Sequence, residues 1–226
     1  MDNLEARDMA FGTLVSRSKF YKNKRVVSLV NDLKEMGVID KFYDEHFTPG
    51  VIKRTEYINH YISRQFELKP NLSVLTIGCG FNTYFEDLPH QPCARWVDSD
   101  LNSVTTLRYT HWGESHDPSL SHHLVSIDLN ALGSMAYLTS MANKVDVLLA
   151  EGVLMYLSKE RAKQVLDLPW KNVVFDVLGS KRKVPMGKNH LWTYQENEWN
   201  LNVIDKYNFD GPDRDSTIFT VNNDTK

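Results

Sequence analysis

Two glycines and three acids sit where this chain could do chemistry, at the ends of short apolar runs. The first end reads Ile77-Gly78-Cys79-Gly80-Phe81-Asn82-Thr83. Gly78 and Gly80 let the backbone turn tightly and approach a ligand closely. Asp98 follows 20 residues after Gly78 (98 − 78), at the end of the next run. An acid there accepts hydrogen bonds from both ribose hydroxyls of an adenosine cofactor. Asp100 is two residues on and shares its face if the strand continues that far. The third end carries Asp128 beside Leu129, an acid for the exocyclic amine of adenine and an apolar side chain for its ring. The fourth is Glu151, at the Gly152 turn. An isolated loop acid usually caps a helix or meets solvent. Four ends in succession favour one shared ligand site.

The elements that must position these residues follow from periodicity. The runs Ser73–Gly78, Ala94–Asp100, His123–Leu129, Val145–Gly152 and Asn172–Gly179 are short and rich in Val, Ile and Leu. Such runs suit parallel strands covered on both faces. Between them, 101–112, 130–142 and 158–168 read as crossovers, so the fold class is α/β: a Rossmann-like, doubly wound, mostly parallel sheet. Ser216–Val221 is β-prone and closes the sheet as an edge hairpin with a strand near Leu201–Tyr207. The first 70 residues look helical. Val26, Val27, Val30, Leu33 and Met36 recur at helical steps before Gly37, and a second helix is expected from about Val51 to Phe66, with Pro49-Gly50 preceding it. The expected organisation is an N-terminal helical cap over 1–70 and a sheet domain over 71–226.

Composition bounds the partners. Hydrophobic residues are 42% and charged residues 24% of the 226, ordinary for a soluble globular protein. A formal net charge of −3 argues against a nucleic-acid partner, which needs a basic excess. No apolar run approaches the roughly 18 residues of a membrane span. Two cysteines and no signal peptide at the start give a cytoplasmic expectation.

A dinucleotide pyrophosphate wants a third glycine three residues after the second, but Thr83 stands there. S-adenosylmethionine carries no phosphate, and an acid-rich rim suits its sulfonium. The segments TIGCGFNTYFEDL, VDSDLNSV, SIDLNAL and LLAEGVLMYLSKERAKQVL resemble the leucine carboxyl methyltransferase family. Ala150–Leu157 is the most distinctive phrase, and the resemblance runs from about Arg54 to Phe175. It implies an S-adenosylmethionine-dependent O-methyltransferase, with a carboxylate acceptor ahead of a hydroxyl one. By this resemblance Gly78 and Gly80 lie against the methionine portion and Asp98 on the ribose. Asp128 and Leu129 lie at the adenine edge, Glu151 beside the methionine end, and Arg54 on the cofactor carboxylate. Arg17 matches a basic N-terminal residue of the family. The chain departs from it at Asn82 and Tyr84, where an Asp and an Arg are usual, and in a short region after the fifth strand.

The acceptor is expected to be a small molecule or peptide, in a pocket lined by Arg17, Tyr156, Trp192 and Tyr194. Aromatic residues are more often simply core, and the basic run Lys181-Arg182-Lys183 is more often solvated. No general base is identified. His116, His122 and His123 match no zinc spacing, so no metal is expected and this stretch reads as a polar loop. Cys79 lacks a partner base and reads as packing. Two other readings remain: an NAD-dependent oxidoreductase, and a catalytically degenerate methyltransferase-like partner subunit. Oligomeric state is left open.

Overall fold

A computed structural model describes residues 3–21, 23–39, 48–87, 95–112, 121–177, 198–209 and 216–223. The apolar runs become strands β1 (Ser73–Ile77), β2 (Arg95–Asp100), β3 (Ser121–Ser126), β4 (Val147–Ala150) and β5 (Asn172–Val177). With β6 (Val203–Asn208) and β7 (Thr217–Asn222) they form one seven-stranded sheet in the order β3-β2-β1-β4-β5-β7-β6. The first five run parallel, and β7 joins β5 and β6 antiparallel, as the expected hairpin. Strand order reverses between β1 and β4, the switch point at which such sheets open a crevice.

Alternation along the central strands explains why they read as continuous apolar runs. Leu75, Leu148, Ala150, Val173 and Phe175 pack on one face against Leu138 of α6 (Ser134–Ala142) and Val165 of α7 (Lys159–Leu166). Val74, Val147, Leu149 and Val174 pack on the other against Ile58, Ile62 and Phe66 of α3 (Thr48–Leu68). Each fully buried aliphatic side chain contributes about 1.5–3 kcal/mol. The third strand begins two residues earlier than its sequence run and ends at Ser126. Residues 127–130 are thereby released into a loop at the sheet's open end.

Helices α1 (Asn3–Phe20) and α2 (Lys24–Glu35) precede α3. The apolar stripe of α2 buries Val26, Leu29, Val30 and Leu33, and the Asn23 side chain caps its first turn through the Arg25 amide. Gly37, at φ +67°, closes the helix: Val38 N donates to Leu33 O and Gly37 N to Lys34 O, the paired bonds of a Schellman stop. The third helix starts at Thr48, so Pro49 lies in its first turn, where no amide donor is needed, and does not precede it.

Phe11, Leu14 and Val15 of α1 share a cluster with α2, with Val104 of α5 (Asn102–Trp112) and with Phe81. Phe11 stacks on Phe81 at 5.5 Å between ring centres. This contact docks α1 beside the strand ends. No helix among the described residues is long and apolar enough to cross a membrane.

Candidate active site

The carboxyl ends of β1 to β4 open into a cleft of about 450 Å³. Gly78 to Phe81 line it after β1, Asp100 and Leu101 after β2, Ile127 to Asn130 after β3, and Glu151 to Val153 after β4. Ala10, Thr13 and Arg17 of α1 cover it, with Arg54 of α3 and the 156–158 segment completing the wall. Gly78 adopts φ +62°, and a Cβ there would stand 2.4 Å from Val153 Cγ2. Only glycine lets the turn after β1 meet the turn after β4 so closely.

The second strand corrects the sequence expectation for the ribose acid. Asp98 is brought to the strand but not to the cleft: it is fully buried two residues below the end. Its Oδ1 accepts from Trp96 Nε1 at 2.9 Å and its Oδ2 from Arg108 Nη2 at 3.0 Å, with His122 Nε2 also 3.0 Å away. Burial alone would raise its pKa, but the Arg108 guanidinium and the His122 bond hold it down at about 2. Asp100 stands at the cleft instead. It accepts the Gly80 amide on Oδ2 and the Leu101 amide on Oδ1, both at 2.7 Å. Desolvation raises its pKa against these two bonds.

Around Glu151, which follows β4, residues of the first, third and fourth helices and of β5 meet. Arg17 Nη2 lies 2.8 Å from both Glu151 oxygens, Arg54 Nε donates to Oε1 at 2.6 Å, and Tyr84 of the short α4 (Tyr84–Asp87) donates to Oε2 at 2.6 Å. Burial opposes ionisation of Glu151, yet the two guanidiniums and the Tyr84 hydroxyl outweigh it and lower the pKa to about 2. The same burial pushes the Tyr84 phenol well up, so it stays a donor. Arg54 also donates through Nη1 to Asp176 Oδ2 at 2.7 Å, and Asp176 Oδ1 accepts the Gly152 amide. Thr55 accepts from Arg17 Nε and donates to Val51 O, which ties Arg17 to α3. Two arginines and two carboxylates are thus paired among themselves in a buried cluster, which offsets the cost of taking their charges out of water.

At the third strand end, Asp128 Oδ1 accepts the Asn130 amide at 2.9 Å. Arg161 of α7 holds the same loop through Leu129 O at 2.8 Å and Ala131 O at 2.7 Å. Asp128 and Leu129 both line the cleft. Tyr156 lines it as well, whereas Trp192, Tyr194 and the 181–183 run lie outside the described residues. His122 and His123 belong to β3 rather than to a loop, and among the described residues no group of His, Cys, Asp and Glu could hold a metal. Cys79 is a buried free thiol, and burial pushes its pKa well up.

The cleft therefore gathers Arg17, Arg54, Gly78, Gly80, Asp128, Leu129, Glu151 and Tyr156, with Asp100 in the place expected of Asp98. Arg108, Arg161 and Asp176 support it and were not singled out by sequence, and so does Tyr84, which sequence marks only as a departure from the family. An acid inside the apolar run NVVFDVLG was the available signal for Asp176. For a nucleoside bearing an amino acid the donor set fits: a glycine cradle that a Cβ would fill, acids at two strand ends, and a guanidinium beside a carboxylate for a zwitterion.

The family model described as leucine carboxyl methyltransferase matches residues 6–168. No curated protein matches the chain. Among solved structures, a putative methyltransferase from Thermobifida fusca YX has a TM-score of 0.59 at 12% identity, covering 95% of this chain and 93% of that one. Magnesium protoporphyrin IX methyltransferase from Synechocystis PCC 6803, with bound SAH, has a TM-score of 0.58 at 14% identity, covering 79% and 85%. At these identities the likeness is one of fold, that of class I methyltransferases.

Proposed function

The chain belongs to the leucine carboxyl methyltransferase family, which uses S-adenosylmethionine, and from that premise we propose that it methylates an oxygen of a small-molecule or peptide acceptor, a carboxylate oxygen before a hydroxyl. The observation that carries this reading is the convergence of four parallel strand ends on one cleft whose deep wall is the Arg17–Glu151–Arg54 cluster.

When bound, the cofactor would supply an electrophilic methyl group on a sulfonium: the O–C bond to the acceptor forms as the C–S bond breaks in line, and the sulfur leaves as a neutral thioether. Asp100 takes the ribose hydroxyls while its bond to Gly80 keeps the turn beside them. Asp128 and Leu129 take the adenine edge, on a loop that Arg161 holds. Gly78 and Gly80 admit the methionine portion. Arg54, whose Nε and Nη1 are held by Glu151 and Asp176, has its Nη2 left for the α-carboxylate, and the Glu151 charge attracts the α-ammonium. Arg17 and Tyr84 keep Glu151 ionised and aimed. Ala10 and Thr13 line the cleft from α1 and reduce access of water to it.

A carboxylate acceptor is ionised near neutral pH and needs no general base. That fits a cleft in which Glu151 is committed to ion pairs and burial keeps the Cys79 thiol neutral. The family's carboxyl chemistry supports the same choice.

The test is transfer of a labelled methyl group from S-adenosylmethionine to carboxylate-bearing and hydroxyl-bearing small molecules and peptides. A methyl ester releases labelled methanol in mild base, and a methyl ether does not. Base-labile label is the expected result. Base-stable label alone would overturn the carboxylate reading, and no transfer by cofactor-binding protein would overturn the enzymatic one.

A further inference from the structure

The buried Asp98 sits outside the cleft, yet its partner reaches the glycine turn. Arg108 lies on α5 with 3% of its side chain exposed. Its Nη2 donates to Asp98 Oδ2 at 3.0 Å and its Nη1 to the Gly80 carbonyl at 3.1 Å. The guanidinium lies over the Trp112 ring, 4.9 Å from its centre, which fixes the plane of the fork. Asp98 in turn is anchored by Trp96 and faces His122, whose ring lies tilted against that of Phe85 with centres 4.3 Å apart. Asp100 holds the Gly80 amide from the other side. One glycine, at φ +52°, therefore has its N–H taken by Asp100 and its C=O taken by Arg108.

Burying an arginine and an aspartate together is expensive, and a pair of apolar side chains would stabilise the fold as well or better. What apolar side chains could not do is grip a carbonyl. The planar, two-pronged guanidinium joins Asp98 to Gly80 in one geometry, which a lysine point charge does not reproduce. We infer that Asp98 and Arg108 are a positioning pair: through the Gly80 carbonyl they set the shape of the glycine turn and hence the affinity of the cleft for the amino-acid portion of its nucleoside cofactor. This rests on the reading of the cleft as an S-adenosylmethionine site and adds two residues that touch neither cofactor nor acceptor. The acid that sequence spacing assigns to the ribose acts one layer deeper, through Arg108.

The pair has a signature that packing alone lacks. The turn meets the methionine portion of the cofactor, whereas Asp128 and Leu129 meet the adenine. Loosening the turn should weaken S-adenosylhomocysteine, which has the amino-acid portion, more than 5′-methylthioadenosine, which lacks it.

The experiment is calorimetric titration of both ligands into the full chain and into Arg108→Met, Arg108→Lys and the double variant Asp98→Asn/Arg108→Met. The double variant leaves no lone buried charge, so it tests the idea even if Arg108→Met does not fold. The expected result is a loss of about tenfold or more for S-adenosylhomocysteine and under about threefold for 5′-methylthioadenosine, with Arg108→Lys intermediate. Equal losses for the two ligands, or none in a folded double variant, would overturn the positioning role while leaving the cofactor site intact. Full recovery by Arg108→Lys would also overturn it. Failure of the unaltered protein to bind either ligand would remove the cofactor site itself, and this inference with it.

Discussion

The Asp100 carboxylate accepts the Gly80 amide at 2.7 Å, tying the end of β2 to the turn after β1. Two strand ends that are 20 residues apart in sequence (100 − 80) thereby become one rigid lip of the cleft. The bond also orients the carboxylate before any ligand arrives, which lowers the ordering cost of binding.

From this follows a contrast between two acids on one strand. Asp100→Ala should weaken S-adenosylhomocysteine about tenfold or more, ~1.4 kcal/mol, with little loss of fold stability. Asp98→Ala should in addition lower stability, by about 3–5 kcal/mol, because it leaves Arg108 buried without its carboxylate. Calorimetric titration and urea unfolding of each variant separate the two effects. Equal loss of stability in both would show that Asp100 is structural.

Arg54 divides its donors between Glu151 and Asp176. Arg54→Lys keeps the charge and loses the fork, so it should fold and bind S-adenosylhomocysteine about tenfold more weakly. Binding of 5′-methylthioadenosine should change little. An Arg54→Lys protein that binds S-adenosylhomocysteine as the parent does would remove Arg54 from the amino-acid end.

Tyr84 donates to an ionised, buried Glu151. Tyr84→Phe deletes only that hydroxyl and should cost about 1.5–3 kcal/mol, the range for hydrogen bonds to charged groups. Urea unfolding measures it. No change would mean that Arg17 and Arg54 alone satisfy the carboxylate.

Acid should unfold the protein in a defined window. Asp98 and Glu151 are held at about 2, below their ordinary 3.8 and 4.5, because their guanidinium partners outweigh burial. Depressed carboxylates stabilise the fold above their unfolded values, and that stability is lost as pH falls towards 2. Burial raises Asp100 and Asp176, so protonating these two favours the fold, and the net loss is steepest below about pH 4. Thermal midpoints from pH 6 to pH 2 check this. Glu151→Gln should flatten the curve, and an unchanged slope would contradict the assignment.

The sheet was legible because central strands alternate between two buried faces, which leaves runs such as Val173 to Phe175 apolar throughout. The glycine turn, Asp128, Leu129, Glu151, Arg17 and Arg54 were legible from the strand-end rule and from family resemblance. The choice between Asp98 and Asp100 was not. Both share one face at a period of two, and where β2 ends decides between them: Asp100 is its last residue and lines the cleft, whereas Asp98 lies two residues inside and pairs with Arg108. Tyr84, Arg108 and Asp176 act on partners remote in sequence, 67, 28 and 24 residues away, and local pattern, which marks only Asp176 as an acid in an apolar run, does not name those partners.

The most direct measurement of the central claim is calorimetric titration of S-adenosylhomocysteine into the intact chain, with NAD titrated in parallel. The account predicts saturable one-to-one binding of S-adenosylhomocysteine, no binding of NAD, and stabilisation of about 2.7 kcal/mol at a hundred times the dissociation constant. Binding of NAD in its place, or no binding of S-adenosylhomocysteine by folded protein, would contradict it.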